Sequence, residues 1–151
     1  MTPTLPTDFR DMLSALSDVG AEYLVVGAHA MAAHGLPRAT GDLDVWVRAE
    51  RANAERVLQA LAAFGAPTAG LDGADFFEPD GVIQFGVSPY RIDFLTSIDG
   101  VAFDEAWPAR VELRLAGLTI PVIGRDHLIQ NKRATDRPQD RTDVARLERG
   151  R

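Results

Sequence analysis

The segment from Gly27 to Val47 constrains the fold of this chain more than any other part of its sequence. It follows an apolar run, Tyr23–Val26, that predicts a buried strand, and it starts with a tight glycine turn and a short helix. A second strand then opens with Asp42 and Asp44, which are separated by one residue. Because side chains at i and i+2 of a strand point to the same face, the two carboxylates are aimed together.

The position of this pair gives it chemical meaning. Asp-x-Asp alone carries little weight, because fifteen aspartates in 151 residues produce about one or two such pairs by chance. Here the pair lies close to a helix N-terminus, which favours phosphate. A third candidate, Asp93, alternates with Ile92 and Phe94 in another apolar strand. Carboxylates for a hard cation beside a cradle for an anion predict the binding of a nucleoside triphosphate (NTP) with magnesium.

This ordered pattern resembles the nucleotidyltransferase superfamily related to DNA polymerase beta. The signature of that family is a Gly-Gly or Gly-Ser turn, a short helix, Asp-x-Asp on a strand and a carboxylate on a later strand. Small bacterial members that resemble abortive-infection toxins carry Arg-x-Thr-x-Asp-x-Asp, which is matched here by Arg38, Thr40, Asp42 and Asp44. The resemblance extends to residues 128–134 and 137–143, so it touches most of the chain.

The resemblance implies metal-dependent transfer of a nucleoside monophosphate from an NTP to a hydroxyl acceptor, with release of pyrophosphate. The acceptor would be an RNA end, a protein or a small molecule, and the protein would belong to a toxin–antitoxin system or serve another role. In family terms, Asp42 and Asp44 bridge two Mg²⁺ ions, with Mn²⁺ as the alternative, and Asp93 holds one and helps to deprotonate the acceptor. The residues expected to bind the nucleotide are Gly27, Ala28, Arg38, Thr40 and Lys132.

One departure from the family pattern supports a second hypothesis. Many relatives have Ser or Gly where this chain has Ala28, and alanine cannot offer a hydroxyl to the terminal phosphate. Either backbone amides suffice or triphosphate binding is weakened. The alternative function is a catalytically degenerate binding module, which would act as an antitoxin, a sensor or a subunit. A homodimer or a cognate partner protein is expected to complete the site, because the small chain leaves little room for a separate acceptor domain.

For several side chains the sequence allows a structural role as well as a functional one. Asp93 could pair with a nearby arginine instead of a metal ion, and Trp46 could pack under a loop instead of stacking on a base. Lys132 is the only lysine beside fifteen arginines, which favours a dedicated phosphate contact. The alternative is an ion pair with Asp140, which shares a helix face with Asp143 by its spacing.

Composition narrows the class of protein. The 151 residues predict a single domain, 1–151, and the absence of cysteine excludes disulfides and thiolate metal sites. No signal peptide or membrane span is recognisable, so we expect a cytoplasmic protein. The net charge of −6 divides unevenly: residues 1–124 hold eight basic and seventeen acidic side chains, and residues 125–151 hold eight and five. The acidic body argues against broad binding of nucleic acid.

Periodicity and turn residues predict the order of the elements. A helix precedes the 23–26 strand, and a longer one, about 49–64, follows the Asp-x-Asp strand. Two hairpins are expected, 82–96 around Ser88-Pro89 and 111–123 around Ala116-Gly117. A C-terminal helical segment, 125–151, closes the chain. This order predicts an α+β fold, an α/β sandwich with helices packed on a mixed sheet. The polymerase-beta-like topology is implied by the family resemblance.

Overall fold

The strands and helices follow the predicted order closely. This computed structural model describes residues 5–37, 41–87 and 90–150. The strands are β1 (Tyr23–Val26), β2 (Asp42–Val47), β3 (Val82–Val87), β4 (Tyr90–Leu95), β5 (Val111–Leu115) and β6 (Leu118–Val122). The helices are α1 (Thr7–Asp18), α2 (Gly27–Ala33), α3 (Arg51–Phe64), α4 (Phe103–Ala106), α5 (Arg125–Thr135) and α6 (Pro138–Arg149), with a 3-10 turn at Gly73–Phe76. The short α4 was not predicted, because four residues carry no helical period.

All six strands form one mixed sheet in the order β3-β4-β2-β1-β6-β5. The central strand β2 runs antiparallel to β1 and parallel to β4, and β1 runs parallel to β6. The two outer pairs are the antiparallel hairpins expected from the sequence. Ala116 and Gly117 both have positive φ, as a tight hairpin turn requires. Ser88 and Pro89 lie outside the described residues. The predicted α+β class with a mixed sheet is confirmed.

Alternation along β2 separates the core from the carboxylates. Leu43, Val45 and Val47 are buried in the hydrophobic core, which also contains the apolar faces of α1 and α3. Asp42 and Asp44 alternate with them and are partly exposed. Since a shift of one residue would bury both aspartates, the apolar positions fix the face on which the carboxylates lie.

The C-terminal segment forms two helices, as expected. The guanidinium Nε of Arg125, at the start of α5, donates to the carbonyl of Leu147 in α6 over 2.9 Å. Asn131 Nδ2 donates to the carbonyl of Asp99 over 2.9 Å, which attaches α5 to the turn after β4. The first bond joins the two helices, and the second joins α5 to the turn that follows the strand of Asp93. Among the described residues, no helix has the length and apolar character needed to cross a bilayer.

Candidate active site

Two parallel neighbours in the sheet, β2 and β4, carry the predicted catalytic carboxylates. Asp44 lies directly opposite Asp93 in the strand register, and Asp42 lies opposite Arg91. Because side chains alternate along each strand, these four residues project from the same face of the sheet. The strand register therefore places the three aspartates on one face of the sheet, and their sharing of divalent ions stays a prediction.

A guanidinium group lies within this acidic cluster. Arg91 Nε donates to Asp93 Oδ1 over 2.9 Å, and Arg91 Nη2 lies 3.2 Å from Asp93 Oδ2. The same Nη2 atom lies 3.2 Å from Asp42 Oδ2, so one side chain bridges two strands. Asp93 thus has the arginine partner that the sequence left open as an alternative, and it has this partner while also meeting Asp44. Arg91 was missed as a site residue, although its i, i+2 spacing from Asp93 could have identified it.

Asp44 is the carboxylate of the cluster whose charged form is disfavoured. Burial, followed by the charges of Asp93 and Asp42, raises the pKa of Asp44 from 3.8 to about 6, and Arg91 opposes the shift. A hydrogen bond between the side chains of Asp44 and Asp93 acts in the same direction as burial, because one of the two carboxyl groups must supply a proton. Ionised Asp44 therefore lacks a sufficient counter-charge, and a cation at this position would supply one.

The turn from β1 into α2 brings backbone close to this carboxylate. Val26, the last residue of β1, pairs with Asp44 across the antiparallel ladder. Gly27 follows with φ of +70°, and a Cβ built there would lie 2.2 Å from Asp44 Oδ2. Only glycine permits both the positive φ and this close approach. Gly27, which is predicted to bind the nucleotide, therefore lies next to the carboxylates. Its contact with the nucleotide stays a prediction.

The first turn of α2 supplies the next two side chains. Ala28 presents a methyl group, so its predicted nucleotide contact relies on its backbone amide. His29 Nε2 is buried and has no hydrogen-bond partner among the described residues. Burial lowers the pKa of His29, while the nearby charge of Asp42 acts in the opposite direction. A neutral imidazole therefore borders the acidic cluster.

The donor set fits a hard divalent cation in its chemistry. Three carboxylates share one face of the sheet, with the guanidinium of Arg91 between Asp42 and Asp93, and carboxylate oxygens are the ligands that Mg²⁺ and Mn²⁺ prefer. In residues 5–37, 41–87 and 90–150, however, no group of three acidic or histidine side chains is arranged to hold a metal ion. In this arrangement Arg91 donates to one oxygen of Asp93 and to one of Asp42, which are then engaged by the guanidinium.

Lys132 has two carboxylate partners on α6. Its Nζ lies 3.0 Å from Asp143 Oδ2 and 3.7 Å from Asp140 Oδ1, and all three side chains are buried. Burial opposes the ionised form of Asp140, but hydrogen bonds from Arg137 and Thr135 outweigh it and lower the pKa of Asp140. The proposed ion pair of Lys132 with Asp140 is present, but Asp143 is the nearer partner. A nucleotide contact of Lys132 stays a prediction.

The last three side chains for which the sequence suggested a role at the site are Arg38, Thr40 and Trp46. Arg38 and Thr40, predicted to bind nucleotide, lie outside the described residues. Trp46 has only 1% of its surface exposed and packs edge-on against Phe103 with ring centroids 5.0 Å apart. The packing alternative is therefore correct for Trp46, which presents no open ring face to a base.

Comparison with known proteins relates this geometry to a fold. No protein-family model and no curated protein sequence matches the chain. A protein from Thermotoga maritima classed as a nucleotidyltransferase has a TM-score of 0.61 at 13% identity, over 95% of this chain and 91% of that one. The lincosamide antibiotic adenylyltransferase LnuA, solved with lincomycin, has a TM-score of 0.60 at 12% identity, over 97% of this chain and 98% of that one.

A third similar structure is ANT(2'')-Ia in complex with adenylyl-2''-tobramycin. It has a TM-score of 0.56 at 14% identity, over 92% of this chain and 84% of that one. At such identities the agreement over nearly the whole chain concerns the fold, and the resemblance to abortive-infection toxins stays a prediction. The chain therefore has the fold of the polymerase-beta-like nucleotidyltransferases.

Proposed function

We propose that this protein is a metal-dependent nucleotidyltransferase, which transfers a nucleoside monophosphate from an NTP to a hydroxyl acceptor and releases pyrophosphate. The observation that carries the proposal is the cluster on β2 and β4, where Asp44 lies opposite Asp93 and beside Asp42. The glycine turn into α2 stands directly against this cluster. Carboxylates and an amide-rich turn at one place suit a metal-bound triphosphate.

The three aspartates have distinct roles in this proposal. Asp42 and Asp44 would hold two Mg²⁺ ions, and Asp93 would hold one of them and take the proton of the attacking hydroxyl. When bound, the ions would neutralise triphosphate charge and stabilise the pyrophosphate leaving group. The raised pKa of Asp44 supports this assignment, because an ionised carboxylate at this position is stabilised by added positive charge.

The remaining nucleotide contacts are assigned from the sequence pattern. Gly27 and Ala28 would offer backbone amides to the phosphates, and Arg38 and Thr40 would also bind the nucleotide. Lys132 would contribute its ammonium group, which has three N–H donors for two carboxylate partners and one phosphate oxygen. Each of these contacts is testable by NTP affinity.

We favour a small-molecule hydroxyl as the acceptor over an RNA end or a protein. One of the similar structures is a lincosamide antibiotic adenylyltransferase with lincomycin bound, and another, ANT(2'')-Ia, is in complex with adenylyl-2''-tobramycin. The structural alignment covers 98% of the LnuA chain, so the present chain has about the same length as a protein that was solved with lincomycin bound. The acidic charge of residues 1–124 also suits cationic small molecules better than RNA.

Transfer of a labelled nucleotide tests the proposed reaction. The protein is incubated with each α-labelled NTP, Mg²⁺ and a panel of aminoglycosides, lincosamides, RNA and its own purified chain as acceptors. We expect label to appear on one acceptor class together with pyrophosphate, and to disappear with Asp93→Asn. Asp11→Asn, which changes a half-exposed carboxylate on α1, serves as the matched control. Transfer that persists at full rate in Asp93→Asn would contradict the proposal.

The second candidate, a binding module without catalysis, is favoured by Ala28. A methyl group replaces the hydroxyl that many relatives place against the terminal phosphate. Under this alternative the protein binds NTP but releases no pyrophosphate with any acceptor. The same assay separates the two functions, provided that NTP binding is measured in parallel.

A further inference from the structure

The guanidinium of Arg91 lies between two of the carboxylates that are proposed to hold the metal ions, Asp42 and Asp93. It reaches Asp93 through two N–H groups and Asp42 through one, at distances of 2.9 to 3.2 Å. These two aspartates lie on different strands, so the arginine neutralises repulsion across the β2–β4 pair. It is therefore a counter-ion that the chain itself supplies.

We propose that Arg91 is an internal placeholder for the divalent cation: it holds Asp42 and Asp93 in the metal-free protein and is displaced when the ion binds. This inference rests on the proposed function, since it concerns the same carboxylates. It adds a regulatory property to the site. The affinity for the ion is set by competition with a residue of the protein, so the free site resists ions at low concentration.

The position of the side chain permits this exchange. The side chains of Arg91 and Asp42 are 37% and 44% exposed, while that of Asp93 is only 10% exposed, so the guanidinium reaches solvent beside Asp42 and Asp93 lies deeper. An arginine cannot lose its charge by deprotonation, so it must move when a second cation arrives. Arg91 can move outward by rotating its long side chain without any change in β4.

A permanent structural ion pair makes the opposite prediction. If Arg91 only orients Asp42 and Asp93, its loss loosens two ligands and divalent ions bind more weakly. If Arg91 competes with the ion, its loss removes a positive charge from the binding position and divalent ions bind more tightly. The direction of the change in affinity therefore separates the two models.

Direct titration of Mn²⁺ tests the proposal without an activity assay. Free Mn²⁺ is measured by electron paramagnetic resonance, without nucleotide, in the wild type, Arg91→Gln and Arg141→Gln. Arg141 makes a similar two-bond contact with Asp136, at 2.8 and 3.2 Å, on the surface of α6, so its variant controls for loss of one positive charge. We expect Mn²⁺ to bind about tenfold more tightly to Arg91→Gln and unchanged to Arg141→Gln.

Thermal unfolding supplies the second readout. In EDTA, Arg91→Gln should unfold at a lower temperature than the wild type, because its carboxylates lack their counter-ion. Saturating Mn²⁺ should raise its melting temperature more than that of the wild type. Arg91→Lys keeps the charge without the fork and should have an intermediate Mn²⁺ affinity, which provides a test should the glutamine variant fail to fold.

The outcomes distinguish this inference from the proposed function. Mn²⁺ affinity that is equal or weaker in Arg91→Gln, with measurable binding in the wild type, overturns the placeholder and leaves the proposed function intact. Absence of Mn²⁺ binding in every variant overturns both the placeholder and the metal site. Tighter Mn²⁺ binding in Arg91→Gln, with the affinity of Arg141→Gln unchanged, supports both the placeholder and the metal site.

Discussion

Replacing Asp44 by asparagine should stabilise the metal-free protein at neutral pH. The carboxylate is packed against Asp93 and the Gly27 turn, and its pKa is raised from 3.8 to about 6 by burial and then by Asp93 and Asp42. Asparagine has nearly the same shape and carries no charge, and it can still hydrogen-bond to Asp93. The variant therefore removes an unfavourable charge while it keeps the packing.

The magnitude follows from linkage between protonation and folding. Between pH 3.8 and about 6 the folded protein holds the proton of Asp44 more tightly than the unfolded chain, so this group makes stability fall as pH rises. The loss is complete above about pH 7 and amounts to at most about 3 kcal/mol. At pH 8 we expect Asp44→Asn to melt about 5–10 °C higher than the wild type, and at pH 4 nearly equally.

Thermal unfolding of both proteins in EDTA, from pH 4 to pH 8, measures this difference. His29 acts with the opposite sign, because its lowered pKa makes stability rise with pH, so the difference between the proteins is the informative quantity. The lowered pKa of Asp140 contributes stability that is lost only on acidification, mostly below this range. A variant that melts lower than the wild type at pH 8 would show that Asp44 is a structural carboxylate and would refute the reasoning.

Three further variants test other parts of the site by melting temperature and by NTP affinity. Gly27→Ala should destabilise by about 1–3 kcal/mol more than Gly65→Ala, because both have positive φ but only Gly27 has the Asp44 carboxylate at its Cβ position. Lys132→Ala should destabilise by about 3–5 kcal/mol, because a buried carboxylate loses its cation, and it should also weaken NTP binding. Ala28→Ser should bind NTP about five- to tenfold more tightly through one new hydrogen bond, with unchanged stability. Equal losses of stability in the two glycine variants would contradict the contact between Gly27 and Asp44. Unchanged NTP affinity in Lys132→Ala would contradict the phosphate contact of Lys132. Weaker NTP binding in Ala28→Ser would contradict the assigned position of Ala28 beside the phosphates.

The arrangement of the carboxylates was predictable because it follows from local rules. Alternation fixes which face of β2 carries Asp42 and Asp44, and the apolar neighbours of Asp93 place it in another buried strand. The family pattern then implied that Asp93 shares a metal ion with them. What the sequence alone did not specify was the parallel register that sets Asp44 opposite Asp93, because register between distant strands depends on the whole sheet.

The partners of the charged side chains were less predictable. Helical spacing placed Asp140 and Asp143 on one face, but the choice of Asp143 as the nearer partner of Lys132 depends on how α5 and α6 pack. Arg91 could have been recognised from its spacing to Asp93, yet its contact with Asp42 needs the β2–β4 pairing. Such contacts arise from tertiary structure, where distances of an ångström decide which ion pair forms.

Calorimetric titration of each NTP in the presence of Mg²⁺ tests the central claim most directly. A site built from these aspartates should bind at least one NTP with measurable affinity, and the binding should be abolished by EDTA and strongly weakened in Asp44→Asn. Asp11→Asn should bind as the wild type does. Absence of binding for all four NTPs would contradict a metal-dependent nucleotide site on this face of the sheet. So would an NTP affinity that neither EDTA nor the Asp44→Asn substitution changes from that of the wild type in Mg²⁺.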